Sequence, residues 1–186
     1  MDPLLELTVA WSLAVLFAAS TAHKISALAE WPGVVRNYRV LPEALTIPAS
    51  AVLLIAGALT AVALLWPATR RIGACAAAVQ LVVFAAAIAI NLRRGRRSID
   101  CGCFGSRLRE GLSGWMVIRN VLVAVLALSL LLPSRPRDLT GLDLVSVFAV
   151  VATASFLYPV LAVVLRRPPA TFAENFAAGP ASRRAR

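Results

Sequence analysis

Apolar residues fall into long runs separated by short polar or proline-rich breaks, and that pattern predicts membrane-crossing helices. A helix needs about 20 apolar residues to cross the roughly 30 Å hydrocarbon layer. Five stretches have that character: about Leu4 to Leu28, Ile47 to Trp66, Ile72 to Asn91, Trp115 to Leu132, and Leu142 to Leu165. Pro42 and Pro48 precede the second, Pro67 follows it, Pro133 and Pro136 close the fourth, and Pro168-Pro169 stop the fifth. The first stretch opens with Asp2 and Glu6 instead of a basic region and runs long without a cleavage site, so it reads as a retained helix. Pro159 bends the fifth stretch, which neighbouring helices tolerate in a membrane. The expected fold is an all-α integral membrane protein, a four-helix transmembrane bundle plus a fifth transmembrane helix. The bundle covers residues 1–167, and a short polar tail follows at 168–186.

Composition agrees. The chain is 60% hydrophobic and 15% charged, against about 45–50% and 25% in soluble domains. This excludes a water-soluble enzyme, a disordered tail and a collagen-like rod. The net charge of +10 arises from eighteen arginines and one lysine against nine acids. Those arginines sit between apolar runs, where they orient the chain and meet anionic head groups, so the partner they imply is the lipid bilayer and not nucleic acid. By parity, Lys24, Arg36 and Arg39 share a side with Arg93, Arg94, Arg96, Arg97, Arg107 and Arg109. Only Arg70, Arg71, Arg135 and Arg137 lie opposite. The positive-inside rule therefore points the two long loops toward the cytoplasm.

Three cysteines do not make a structural disulfide framework, but Cys101 and Cys103 form a pair. Residues two apart reach disulfide distance if the backbone turns, and Gly102 between them permits the turn. So small a ring is strained, and strained exposed disulfides exchange readily. Nearby arginines favour thiolate over thiol, whereas Asp100 opposes that trend and is able to move protons. The other readings of the pair are copper(I) or half of a zinc site, and an inert bridge. A full zinc site finds few further ligands, since only His23 and Cys75 remain among histidines and cysteines. Cys75 reads as a small apolar core residue.

Parity brings other polar residues to the loop face: His23 and Lys24 at the end of the first helix, Asn91 at the end of the third, and Arg119-Asn120 one turn into the fourth. Ionisable groups inside membrane segments are functional candidates because their burial is costly. The plainer alternative is that Lys24 and Arg119 snorkel to the interface. Glu6, Gln80 and Tyr158 read as packing residues, and Trp11, Trp31, Trp66 and Trp115 as an aromatic belt.

These residues resemble the MauE-type membrane proteins of methylamine utilisation and the broader DoxX-like redox-associated membrane proteins. The likeness rests on His23-Lys24, Tyr38-Arg39-Val40-Leu41-Pro42, Asn91-Leu92, Gly95 and Asp100-Cys101-Gly102-Cys103-Phe104-Gly105, and it covers about residues 5 to 135. It implies a small helical bundle in the bacterial plasma membrane that helps mature a disulfide-rich partner. For MauE the implied partner is the small subunit of methylamine dehydrogenase. Relatives also imply a thioredoxin-like partner and electron transfer to membrane quinone. The general redox role carries over better than the methylamine substrate.

The resulting expectation is a membrane thiol–disulfide redox protein. Cys101 and Cys103 form the exchanging pair, and a thiolate of one attacks a partner disulfide, the residues leaving open which, with the N-terminal Cys101 the usual choice. Asp100 and His23 handle protons; Lys24 and Arg119 stabilise a thiolate or a quinone oxygen. The alternatives are a non-catalytic assembly or export helper and a copper(I)-handling protein; a solute transporter ranks last. Maturation of an exported partner wants the cysteine loop outside, where disulfides persist. That chemistry is set here above the arginine count.

Overall fold

The computed structural model describes residues 2–96, 112–133 and 140–164, and those residues are all-helical, without a strand. Asp100, Cys101, Cys103 and the tail at 168–186 lie outside them.

Helix α1 (Pro3–Ser26) starts at Asp2, whose carboxylate accepts the Leu4 N–H at 2.8 Å while Pro3 occupies the first turn. A short helix α2 (Trp31–Asn37) follows, within a stretch the apolar pattern leaves as loop. Its signal is Pro32 in the first turn, which presets helical φ as readily as it breaks a helix. Helix α3 (Glu43–Leu65) runs straight through Pro48, which the punctuation places before the helix. Only Pro42 precedes it.

Helices α3 and α4 (Arg70–Arg93) form a tight hairpin. The Thr69 hydroxyl donates to the Ala63 carbonyl at 3.0 Å across the turn. Gly73 is needed there: a Cβ at that position would lie 2.9 Å from the Leu64 nitrogen and 3.0 Å from the Ala63 carbonyl carbon. Backbone cannot yield as a flexible side chain does. Gly73→Leu is therefore expected to cost about 1–3 kcal/mol, read as a lowered midpoint in detergent thermal unfolding.

Helix α4 ends in a Schellman turn. Arg96 N–H donates to the Asn91 carbonyl and Gly95 N–H to the Leu92 carbonyl, both at 3.0 Å, with Gly95 at φ +72°. Helix α5 (Gly114–Ser129) continues in tight turns to Leu132. Helix α6 (Gly141–Val164) begins with Thr140 donating both its N–H and its hydroxyl to Asp143. It packs on α1, where Trp11 meets Phe148 edge to face at 4.9 Å.

The helices meet on small residues: Ala10, Ala14, Ala61, Ala74, Ala77, Ala78, Ala124 and Ala127 are all buried. Lipid supplies no hydrophobic drive between helices, so close backbone approach through alanine and glycine does that work. The outward faces are apolar too, with Val52, Ile55, Leu59, Val62, Val79 and Leu122 exposed. A soluble bundle would present charge at those positions; here they suit a hydrocarbon solvent. Among the described residues three helices, α1, α3 and α4, are long and apolar enough to cross a membrane. Helix α5 is shorter than that at 16 residues, and α6 runs for 24, with Gly141–Ser155 apolar among the described residues. Cys75 is exposed, so it faces outward from α4 and is no core residue.

Glu6, expected as a packing residue, forms an ion pair with Arg70 at 2.8 Å that ties α1 to α4. The two side chains are 20% and 10% exposed, and they border a cavity of about 390 Å³ with Arg71 and Leu130. Glu6→Gln is expected to cost about 1–2 kcal/mol, because a neutral amide replaces a charge-assisted acceptor. A Glu6→Leu/Arg70→Met pair should recover most of that loss in the same unfolding measurement.

Candidate functional site

The inward positions of α1 are Ala10, Leu13, Ala14, Phe17, Thr21 and Lys24, which recur at helical spacing along one face. Lys24 continues this stripe, so it points inward, while His23 next to it is exposed. Lys24 is only 6% exposed. It does not snorkel. Its Nζ donates to the Ser20 hydroxyl at 2.9 Å and stands 5.1 Å from the Trp31 ring centroid and 5.5 Å from that of Phe84. Each aromatic face attracts a desolvated ammonium by about 2 kcal/mol, which offsets part of the burial cost. Trp31 is itself fixed, because its indole N–H donates to the Ser50 carbonyl of α3 at 2.9 Å. Buried in this way, Trp31 departs from the aromatic belt, whereas Trp66 and Trp115 remain exposed as a belt requires.

Asn91 is fully buried at the end of α4. Its amide donates to the Ala87 carbonyl at 3.0 Å, and its side-chain oxygen accepts from Arg96 Nη1 at 3.3 Å. Leu112 and Met116 bury against Ile88, packed with Leu92 and Tyr38. The described residues on either side of the segment 97–111 are thus anchored on the same last turns of α4. Arg119 is half-buried on α5, and beside it Asn120 is buried with its amide nitrogen unpaired among the described residues. Deeper in the bundle, Gln80 donates to the Thr60 hydroxyl at 2.7 Å and links α3 to α4. The Thr21 hydroxyl is buried nearby without a partner among the described residues.

The structure therefore places His23, Lys24 and Arg119 at the end of the bundle where α4 stops and α5 starts, with Lys24 buried, Arg119 half-buried and His23 on the surface. The sequence reading missed Ser20, Trp31 and Phe84 as the surroundings of Lys24. The buried stripe on α1 was the available signal for the first of these; the aromatic partners come from other helices. Among the described residues no group of three His, Cys, Asp or Glu side chains comes together for a metal. The copper(I) reading rests on Cys101 and Cys103, outside those residues.

Residues 2–133 match the family described as "Methylamine utilisation protein MauE". The chain belongs to the MauE family. A MauE of Paracoccus denitrificans is 42% identical over 133 residues, covering 69% of this chain and 72% of the relative. The Paracoccus versutus MauE is 40% identical over 138 residues, 73% of this chain and 74% of the relative. That of Methylophilus methylotrophus is 33% identical over 156 residues, 84% and 82%. No solved structure matches the chain. The MauE match spans α1 to α5 and contains every residue of the candidate site.

Proposed function

We propose that this MauE-family protein is a membrane thiol–disulfide redox protein that helps form disulfides in an exported partner of the methylamine utilisation system. The partner that the resemblance implies is the small subunit of methylamine dehydrogenase, or a thioredoxin-like protein acting before it. The observation that carries the reading is the anchoring of both flanks of the Cys101-Gly102-Cys103 segment on the last turns of α4, at the bundle end that buries Lys24.

In the forward step a partner thiolate attacks one sulfur of the Cys101–Cys103 disulfide, giving a mixed disulfide and one free cysteine thiolate. A second partner thiolate then displaces the attached cysteine. The partner leaves with its new disulfide, and Cys101 and Cys103 are left reduced, with the two electrons and, after protonation, the two protons. Asp100 and His23 carry the protons, and Lys24 and Arg119 stabilise the negative sulfur or oxygen. Reoxidation passes two electrons and two protons to a membrane quinone, which becomes the hydroquinone. All five apolar stretches cross the plasma membrane in this reading, α5 with its extension to Leu132, and the cysteine segment faces outward.

The test is labelling of intact cells with a membrane-impermeant maleimide in a Cys75→Ala background, with and without prior mild reduction. Labelling that appears only after reduction is expected. Labelling without reduction would overturn the oxidising role, and labelling only after lysis would overturn the outward placement.

A further inference from the structure

Next to the buried lysine lies a cavity that the redox reading does not use. It measures about 270 Å³ and is enclosed by α2, α3, α4 and the segment 38–41. Trp31, Tyr38, Leu53, Val83, Phe84 and Ile90 stand in its wall, which offers water almost no polar partner. Its volume is well above the about 150 Å³ that takes up a benzene ring. Val83 is 50% exposed on the outer flank of α4 while also lining the cavity, so the opening is sideways, toward the bilayer. The occupant therefore enters from lipid.

Charge at the rim decides which lipid. Arg39 lies between the lining residues Tyr38 and Val40, and its carbonyl accepts from Arg94 Nη1 at 2.9 Å. Arg39 sits at φ +47°, a left-handed conformation that costs a non-glycine residue about 1–2 kcal/mol, and the Arg94 bond helps hold it there. Arg93 follows Ile90 by less than one turn, and Arg36 follows Val35 on α2. Of these four guanidinium groups Arg36 is within 3.8 Å of a carboxylate, that of Glu43. The Lys24 ammonium stands against Trp31 and Phe84, two rings of the wall, and adds positive potential from inside. An apolar slot beneath a guanidinium rim is complementary to one kind of membrane molecule, a lipid with a negative head group.

We infer that the cavity between α2, α3 and α4 is a binding site for an anionic phospholipid, its acyl chain lying against Trp31 and Phe84 and its phosphate held by Arg39 and Arg94.

Trp31 itself reports on the site. A Trp11→Phe/Trp66→Phe/Trp115→Phe protein keeps Trp31 as its sole indole. It is placed in equimolar phosphatidylglycerol and phosphatidylcholine vesicles, with bromine on the acyl chains of one lipid at a time, so surface charge never changes. Stronger quenching from brominated phosphatidylglycerol is expected, at about a fivefold preference for each arginine engaged. Arg39→Gln/Arg94→Gln, on the exposed surface, should bring the preference close to one. Ala87→Phe, which fills the slot, should protect Trp31 from both lipids. Equal quenching by the two lipids in the parent, or a preference unchanged by the arginine pair, would overturn the proposal. Native mass spectrometry of protein released from the same vesicles with added ubiquinone separates the other occupant. Bound phosphatidylglycerol is expected, and a quinone retained in its place would overturn the assignment.

Discussion

Serine at Cys101 or Cys103 is expected to reduce methylamine-dependent growth to background in a Paracoccus denitrificans strain that lacks its own MauE and depends on this chain. The reason is chemical and does not depend on fold. A serine hydroxyl cannot form the disulfide that the partner thiolate must attack, nor leave as a stable anion when the mixed disulfide resolves. Each cysteine is required for a different bond, so either single substitution should be as severe as the double. The two single variants still differ in one observable. With only one cysteine left, its thiolate can still attack the partner's disulfide, the reverse of the forward step, releasing one partner thiolate. The mixed disulfide so formed has no neighbouring thiol on this chain to resolve it, so the variant retaining the sulfur that bonds to the partner should accumulate a trapped complex on non-reducing gels. The other should not, and that difference identifies the sulfur that bonds to the partner. Cys75→Ala should grow as the parent does, since Cys75 is exposed on α4 near its opposite end. Growth at the parent rate by the double-serine protein would overturn the redox role and favour an assembly helper.

The fold was legible where the argument needed only the local chain. Apolar runs and flanking prolines locate α1, α3, α4 and α5 to within a few residues, because the length of an apolar run is itself the constraint in lipid. Helix α2 was not legible, since its seven residues include Pro32 and Gly33, which also mark a loop. Pro48 marks a break in the sequence pattern, yet α3 passes through it. Contacts between helices were the larger loss. Glu6 and Arg70 are 64 residues apart, and nothing local in either signals the other. The site was legible in part: His23, Lys24, Asn91 and Arg119 gather at one end by helix parity alone. What parity cannot give is direction around the helix. That came from the buried stripe on α1, which turns Lys24 inward and leaves His23 outside. Gly95 shows the same division. As a motif residue it has no evident role; in the structure it is the left-handed cap that stops α4 and returns Arg96 to Asn91.

Lys24→Met is expected to leave the fold intact and lower partner maturation roughly tenfold to a hundredfold. The two halves rest on different physics. Methionine is nearly as long as lysine and needs no hydration, so it fills the space between Trp31 and Phe84, where a thioether also packs favourably on aromatic rings. Replacing a buried charge by an apolar group of similar volume is often neutral or stabilising. The Ser20 hydroxyl loses its bond from Nζ, but a serine on a helix is able to donate to a carbonyl one turn back, as Ser26 does to Ala22. The melting temperature should therefore stay level or rise. Activity should fall for the opposite reason. A cation near a forming thiolate or reduced quinone oxygen favours the charged form by one or more pK units, and methionine supplies none of that. Lys24→Arg keeps the charge with a larger, planar head and should recover part of the rate while losing some stability in the packed slot. A Lys24→Met protein that melts like the parent and matures its partner at the parent rate would reduce Lys24 to a packing residue. A lowered melting point with a matching loss of activity would instead make the ammonium a pin between α1, α2 and α4, acting through the two rings and not on sulfur.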